Sequence, residues 1–223
     1  MKPHMAHLAN VAKTAVILGG GVGGVVAANR LRKLLPATHR VVLVDRESHH
    51  VFQPSLLWLA VGMRNPNQIQ RPLDALRKKG IDVMTGDVTR IDPLSRTVTA
   101  GGQTLSADAI VVALGAELAS DAIPGLAAAG HNLYTLAGAA AIRSALDSFR
   151  SGRVIVLTAA PAYKCPAAPY EAAMLIESAL RQRGVRQAVQ IDLFAAEPGP
   201  MGVAGPQVSG AVRQVVESKG VKY

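Results

Sequence analysis

Ala15-Val16-Ile17-Leu18-Gly19-Gly20-Gly21-Val22-Gly23-Gly24-Val25 is the stretch whose reading decides the fold of this chain. The first four residues read as a strand buried on both faces, as in a parallel sheet. Gly19, Gly21 and Gly24 follow at the spacing of a dinucleotide fingerprint. The first glycine permits a tight turn, the second lets the backbone approach a pyrophosphate, and the third lets helix and strand pack closely. Gly23 belongs to the same candidate cofactor-binding turn. Val25 to Leu35 has helical spacing and stops at Pro36. The pyrophosphate would rest on the N-terminus of that helix, where backbone N–H groups lack partners and the dipole favours negative charge. A second buried strand, Val41-Val42-Leu43-Val44, ends at Asp45. An acid at that distance, about 20 residues on, accepts hydrogen bonds from ribose hydroxyls. Strand, turn, helix and strand form one βαβ unit.

Outward from this unit the pattern changes. Ser48 to Gln70 is irregular and punctuated by Pro54 and Pro66, and it reads as loop and short helix on the cofactor side. Arg71 to Lys79 reads as a short helix. Short alternating runs at Val83-Met84, Val88 to Ile91, Thr97 to Thr99 and Gln103 to Leu105 predict a β-meander between turns. Ala109 to Leu114 is another buried strand, ending at Gly115. A second unit then begins. It has helical spacing over Ala137 to Phe149, Ala168 to Arg183 and Gln207 to Lys219, a buried strand over Arg153 to Leu157 and a strand over Ala188 to Phe194. Val221-Lys222-Tyr223 reads as the opening of one more strand, so this second unit is expected to be incomplete. The domain division is residues 1–130 and residues 131–223.

Composition sets bounds. The 223 residues suffice for one large domain or two small ones, and 49% apolar content is that of a packed α/β protein. Aromatic residues are 4%, which argues against a nucleic-acid surface built on base stacking. The formal net charge of +9 comes from scattered residues. It reads first as a basic soluble surface, and second as attraction to anionic lipid headgroups or an anionic cofactor. No stretch approaches the roughly 20 apolar residues of a membrane span. Met1 to Thr14 lacks the apolar centre of a secretory signal. The expected location is cytoplasmic, with peripheral attachment to the inner membrane face as an option. Cys165 is the single cysteine, so no disulfide can form within the chain. His49 and His50 have no acid or thiol partner at metal spacing, so no metal site is expected. His131 reads as an exposed loop residue. Trp58 reads as a core residue ahead of a quinone contact.

Asp108-Ala-Ile-Val-Val-Ala113-Leu114-Gly115 resembles the second flavin motif of the two-dinucleotide-binding-domain flavoproteins, a strand ending in Ala-Thr-Gly. Leu114 stands where that family usually has threonine. Val88, after Gly86-Asp87, matches the position where the family sets a small residue against adenine. The resemblance implies that FAD is the cofactor, held by Gly19, Gly21, Gly23, Gly24, Asp45, Val88, Ala113 and Gly115.

That superfamily carries a second Rossmann unit, usually for NAD(P)H, with its own glycine fingerprint. After Val154-Ile155-Val156-Leu157 this chain has none. It reads Thr158-Ala-Ala-Pro161-Ala-Tyr163-Lys164-Cys165-Pro166-Ala-Ala-Pro169-Tyr170-Glu171. The prolines and Tyr163 would obstruct a pyrophosphate. This loop resembles the cysteine loop of sulfide:quinone oxidoreductases and of the flavoprotein subunit of flavocytochrome c sulfide dehydrogenases. Phe194-Ala-Ala-Glu-Pro-Gly-Pro-Met-Gly-Val-Ala-Gly205 and His50-Val-Phe-Gln-Pro54 resemble the same family. The resemblance implies a redox role for Cys165 and an acid–base role for Glu171. Pro166 suits a first helical position, which would make Cys165 the N-cap, facing a helix dipole beside Lys164 in a setting that favours a thiolate. A buried, inert cysteine is the competing reading. Such enzymes use a cysteine pair. The segment Leu133 to Leu136 offers Tyr134 but no second thiol, so the partner cysteine is expected beyond residue 223.

The sequence therefore predicts an α/β flavoenzyme: an FAD-binding Rossmann-like domain with a β-meander, then an incomplete Rossmann-like unit. Sulfide would be the electron donor and quinone or a cytochrome the acceptor. The alternatives are a type II NADH:quinone dehydrogenase or related NAD(P)H-dependent reductase, and a truncated, non-catalytic dinucleotide-binding domain.

Overall fold

The structure, a computed structural model, describes residues 11–161 and 163–223. The reading of the N-terminal segment as no secretory signal falls largely on residues 1–10, outside the described residues. In chain order the elements are β1 (Thr14–Leu18), α1 (Val22–Leu34), β2 (Arg40–Asp45), β3 (His49–Val51), α2 (Leu56–Ala60), α3 (Pro66–Ile69), β4 (Gln70–Pro72) and β5 (Asp82–Thr85). Then follow β6 (Val88–Asp92), β7 (Thr97–Ala100), β8 (Gln103–Ser106), β9 (Ala109–Val112), α4 (Leu126–Ala129), α5 (Leu136–Ser148) and β10 (Gly152–Leu157). The last elements are α6 (Ala168–Gln182), β11 (Val189–Phe194), α7 (Pro206–Ser218) and β12 (Val221–Lys222). No helix among the described residues is long and apolar enough to cross a membrane.

The chain forms two compact units, Met1–Phe52 with Gln70–Leu118, and Gln53–Ile69 with Ala119–Tyr223. In the first, a parallel sheet has the order β5-β2-β1-β9, with Ile17 opposite both Leu43 and Val111. The central strands β1 and β2 carry the continuous apolar runs 15–18 and 41–44 because both of their faces are covered, whereas the edge strands β5 and β9 are only half-buried. On one face, Ile17, Val41 and Leu43 pack against Ala28 of α1 and against Leu73 and Leu76 of the 3₁₀ helix Leu73–Lys79. On the other, Val16, Leu18, Val42 and Val44 pack against Val98 and Ala100 of the antiparallel meander β6–β8. Each fully buried valine, leucine or isoleucine side chain among these contributes about 1.5–3 kcal/mol. That makes the βαβ core the rigid support of the glycine turn.

In the second unit β10, β11 and β12 form a parallel sheet with α6 and α7 packed on it; β10, expected to be buried, is covered on one face only and exposes Ile155 and Leu157 on the other. Leu57 of α2 packs with Ala168 and Ala172 at the start of α6.

Three local readings change. α1 begins at Val22, three residues early, so Gly23 and Gly24 are helical. Their poor helix propensity, about 1 kcal/mol each, is outweighed at Gly24 by the close approach it permits, whereas a Cβ on Gly23 would lie at an ordinary 3.7 Å from Ala113 Cβ. Arg71 to Lys79 is a strand end followed by a 3₁₀ helix. Trp58 is not a core residue. It is 36% exposed, and the Arg64 guanidinium lies 4.8 Å from its ring centroid.

Candidate functional site

The glycine turn is built from backbone contacts that admit no side chain. Gly19 has φ +106, and a Cβ there would lie 2.3 Å from the Ala113 carbonyl oxygen. A Cβ on Gly24 would lie 1.7 Å from the Gly19 carbonyl oxygen. These glycines lock α1 against β1 and the end of β9. Gly21 differs: it is exposed, and a Cβ there would meet nothing within 4 Å. It is the N-cap of α1, in extended conformation, and no side chain caps the helix. No acidic residue occupies the first turn. The leading N–H groups, which lack intrahelical partners, therefore face open space at the positive end of the dipole. An anionic group fits there, and Gly23 beside Gly21 is equally exposed.

Two side chains fix the turn further. The Gly20 N–H donates to Asp45 Oδ2, and Nδ1 of His50 pairs with the Gly20 carbonyl at 2.9 Å. Asp45 Oδ1 accepts from the Glu47 N–H at 2.7 Å. A carboxylate has about four acceptor sites, so Asp45 can hold the turn and still accept from ribose hydroxyls. The Ala113 N–H donates to the Leu18 carbonyl at 2.8 Å, which brings the end of β9 beside the turn. Gly115 has φ +74 with nothing within 4 Å of an added Cβ. The Val88 side chain is partly buried against the core between meander and sheet, so its backbone is the part left to meet a ligand. His50, which the sequence reading put on the flavin-side loop or the surface, is thus held at the glycine turn. Its neighbour His49 pairs with Ser48 Oγ at 2.9 Å.

The loop between β10 and α6 is of another kind. The expectation that Pro166 opens the helix and Cys165 caps it is corrected: α6 starts at Ala168, with Ala167 as N-cap. The Ala168 N–H donates to the Cys165 carbonyl at 3.0 Å, so Pro166 and Ala167 are the central residues of a tight turn. Proline's fixed φ suits that position as well as a helix start, and Pro169 takes the proline place in the first turn of α6. Cys165 thus precedes the N-cap by two residues, and no capping argument applies to its thiol. It is exposed, with φ +56, a conformation few non-glycine residues adopt. Glu171 lies in the first turn of α6, and Ala168, Pro169 and Tyr170 are buried. Pro169 removes one N–H donor, Glu171 brings negative charge and Tyr170 fills space. On each count this helix start is the opposite of the one at Gly21.

A hydrogen-bond cluster anchors this loop, and the sequence reading did not identify it. Glu197 Oε1 accepts from the Tyr163 hydroxyl at 2.6 Å, from the Tyr170 hydroxyl and from the Met201 N–H at 3.3 Å. The Tyr134 hydroxyl donates to the Lys164 carbonyl at 2.6 Å. The signal was the placement of Glu197 just after β11, because loops at the C-terminal ends of adjacent parallel strands are neighbours. Burial opposes ionisation of Glu197, but the hydrogen bonds from Tyr163, Tyr170, Met201 and Gly202 hold its carboxyl below the usual range. Burial, then the bond to Glu197, pushes both tyrosine hydroxyls far up. The Tyr223 ring stands 6.0 Å from that of Tyr170, with the Arg213 guanidinium 5.1 Å over it.

The lowered carboxyl contributes stability that is present above the unfolded carboxylate value and is lost as pH falls through the folded one. The raised tyrosines contribute below the ordinary phenol value and lose it only in strong alkali. The cluster is therefore intact across neutral pH. Thermal unfolding of Glu197→Gln is expected to fall below the parent near neutrality, with the gap closing below about pH 4. A gap that does not change with pH would remove the charge from this account.

The family model described as Pyridine nucleotide-disulphide oxidoreductase matches residues 13–223. The sulfide-quinone reductase of Aquifex aeolicus (strain VF5) is 31% identical over 217 residues, 93% of this chain and 48% of that protein. The alternative NAD(P)H-ubiquinone oxidoreductase C1, chloroplastic/mitochondrial, of Arabidopsis thaliana is 30% identical over 209 residues, 83% of this chain and 40% of that protein. Among solved structures, the sulfide:quinone oxidoreductase from the hyperthermophilic bacterium Aquifex aeolicus matches with a TM-score of 0.85 at 28% identity, over 95% of this chain and 50% of that one. The chain spans about half the length of these relatives. The similarity to sulfide:quinone oxidoreductases read from the Cys165 loop is borne out.

Proposed function

This chain belongs to the pyridine nucleotide-disulphide oxidoreductase family, and within it we propose an FAD-dependent oxidoreductase of the sulfide dehydrogenase type. One observation carries this reading. Where a second pyrophosphate-binding turn would stand, the β10–α6 loop presents an exposed thiol, followed by a helix start with a proline, a carboxylate and a buried tyrosine. That helix start repels a dinucleotide and leaves Cys165 open to a small anion.

In this reading Gly19, Gly21, Gly23, Gly24, Val88 and the Ala113–Gly115 return would hold FAD, and Asp45 would accept from its ribose hydroxyls. Cys165 forms a disulfide with a second thiol, which this chain does not carry. Hydrosulfide attacks a sulfur of that disulfide, the S–S bond breaks, the electron pair leaves on the released thiolate, and the incoming sulfur is kept as a persulfide. Glu171 moves the proton. The flavin, when bound, supplies the two-electron acceptor that returns the site to its oxidised state, with quinone or a cytochrome taking the electrons on. The net charge of +9 supports a peripheral place on anionic lipid at the cytoplasmic face.

The second reading is an NAD(P)H:quinone reductase, favoured by the 30% identity to the Arabidopsis thaliana protein. The two readings differ in the reductant. In the flavin-retaining form of the protein, rapid mixing with sulfide is expected to bleach the flavin, and NADH to leave it oxidised on that timescale. Faster bleaching by NADH would replace the first reading with the second. Failure to retain any flavin would favour a non-catalytic dinucleotide-binding domain.

A further inference from the structure

We propose that Glu197 is a positioning residue for Cys165. The inference rests on the redox assignment of Cys165 and deepens it. The peptide groups on both sides of the cysteine are fixed. The Lys164 carbonyl accepts from the Tyr134 hydroxyl at 2.6 Å, and the Cys165 carbonyl accepts from the Ala168 N–H at 3.0 Å. Between them Cys165 keeps φ +56. Such a conformation persists only where the surroundings over-determine it. The Lys164 ammonium donates to Gln53 Oε1 at 3.2 Å, a further tie on the same side.

Two residues before the cysteine, the Tyr163 hydroxyl donates to Glu197 Oε1 at 2.6 Å. That one oxygen also accepts from Tyr170, which is 1% exposed in α6, and from the Met201 N–H. Glu197 therefore joins three pieces at one atom: the cysteine loop, the first turn of α6 and the loop after β11. The loop after β11 is tied a second time to the cysteine loop, at its first residue, by the Ala196 N–H on Thr158 Oγ1 at 3.0 Å. Nucleophilic attack needs the reacting atoms about 3–3.5 Å apart and aligned. An exposed loop carrying two prolines, Pro161 and Pro166, has no such precision of its own. Glu197 supplies it from the sheet.

The test compares Glu197→Ala, Glu197→Gln and Tyr163→Phe with the parent and with Cys165→Ser. Amide hydrogen exchange over Lys164 to Ala168 is read in this chain, and sulfide-dependent flavin reduction in the flavin-retaining form. Glu197→Ala is expected to speed exchange in that segment and to lower the maximal reduction rate by about 10²-fold, the cost of a misplacement near 1 Å. The sulfide concentration at half-maximal rate and the flavin content should hold. Glu197→Gln keeps an acceptor and should recover part of the rate, which a purely structural role would not require. Tyr163→Phe removes one hydroxyl and should act as a weaker Glu197→Ala, so the question survives if the alanine variant does not fold. Glu197→Ala or Tyr163→Phe with parental exchange and rate, beside an inactive Cys165→Ser, overturns the role of Glu197 alone. A Cys165→Ser variant at the parental rate overturns the redox assignment beneath it.

Discussion

Gly21→Val is expected to fold and to lose its flavin, whereas Gly24→Ala is expected to lose the fold of the turn itself. Gly21 has φ −69 and ψ −173, open to any residue, and an added Cβ meets nothing within 4 Å. Replacing the N-cap glycine by valine costs the helix about 1 kcal/mol. The new side chain projects over the N–H groups that would hold the phosphates, and close backbone approach is the function of this position. Gly24 is the reverse case. Its Cβ would lie 1.7 Å from the Gly19 carbonyl oxygen and 2.9 Å from its carbon. Neither can swing aside, because Gly19 is itself wedged against the Ala113 backbone. Relief requires prying α1 from β1. Overpacking typically costs 1–3 kcal/mol where side chains can adjust. A backbone clash exceeds that, out of a total stability of about 5–15 kcal/mol. Flavin absorbance after gel filtration and thermal unfolding separate the two. Stoichiometric flavin on Gly21→Val would end the dinucleotide reading of the turn. Parental melting of Gly24→Ala would end the packing argument.

The first unit was legible because its information is local. Strands buried on both faces are written as unbroken apolar runs, at 15–18 and 41–44, and the fingerprint is a matter of spacing; the run at 109–112 was expected to be buried in the same way, but β9 is an edge strand and leaves Val112 61% exposed. The start of α1 was misread because Gly23 and Gly24 are poor helix formers, and only the three-dimensional fit to β1 makes Gly24 the right residue there. The excursion through α2 was legible only as irregularity. Leu56, Leu57, Leu59 and Ala60 are buried in the second unit, and their partners lie too far along the chain for any periodicity to announce them. The Cys165 turn shows a limit of another sort. Two prolines, Pro166 and Pro169, each satisfy the rule for a helix start, and nothing local chooses between them. Glu197 was invisible as a functional residue because its meaning depends on β10 and β11 being neighbours. Val156 pairs with Leu193 and Leu157 with Phe194, and that register alone brings the two loops together.

Cys165→Ser is expected to abolish sulfide-dependent flavin reduction while flavin content and melting temperature stay with the parent. Serine is nearly isosteric with cysteine, the side chain is exposed, and the turn is held by the backbone bond from Ala168 and the tether from Tyr134. The fold therefore has little reason to respond. The chemistry does: a hydroxyl forms no disulfide and is a weak nucleophile without a base beside it. Glu171→Gln separates proton transfer from sulfur chemistry. The carboxamide keeps the size of the side chain in the first turn of α6 and loses the ability to take up and release a proton, a change typically worth 10²–10⁴-fold. Because Glu171 is an acid at a helix N-terminus, it also interacts favourably with the dipole, a contribution of about 0.3–1 kcal/mol that the amide forgoes. A small drop in melting temperature thus accompanies the rate loss and does not explain it. Slowed but complete flavin bleaching in Glu171→Gln, beside none in Cys165→Ser, is the expected pair. Parental sulfide oxidation in Cys165→Ser would leave the thiol an ordinary loop residue and return the choice of reductant to NAD(P)H.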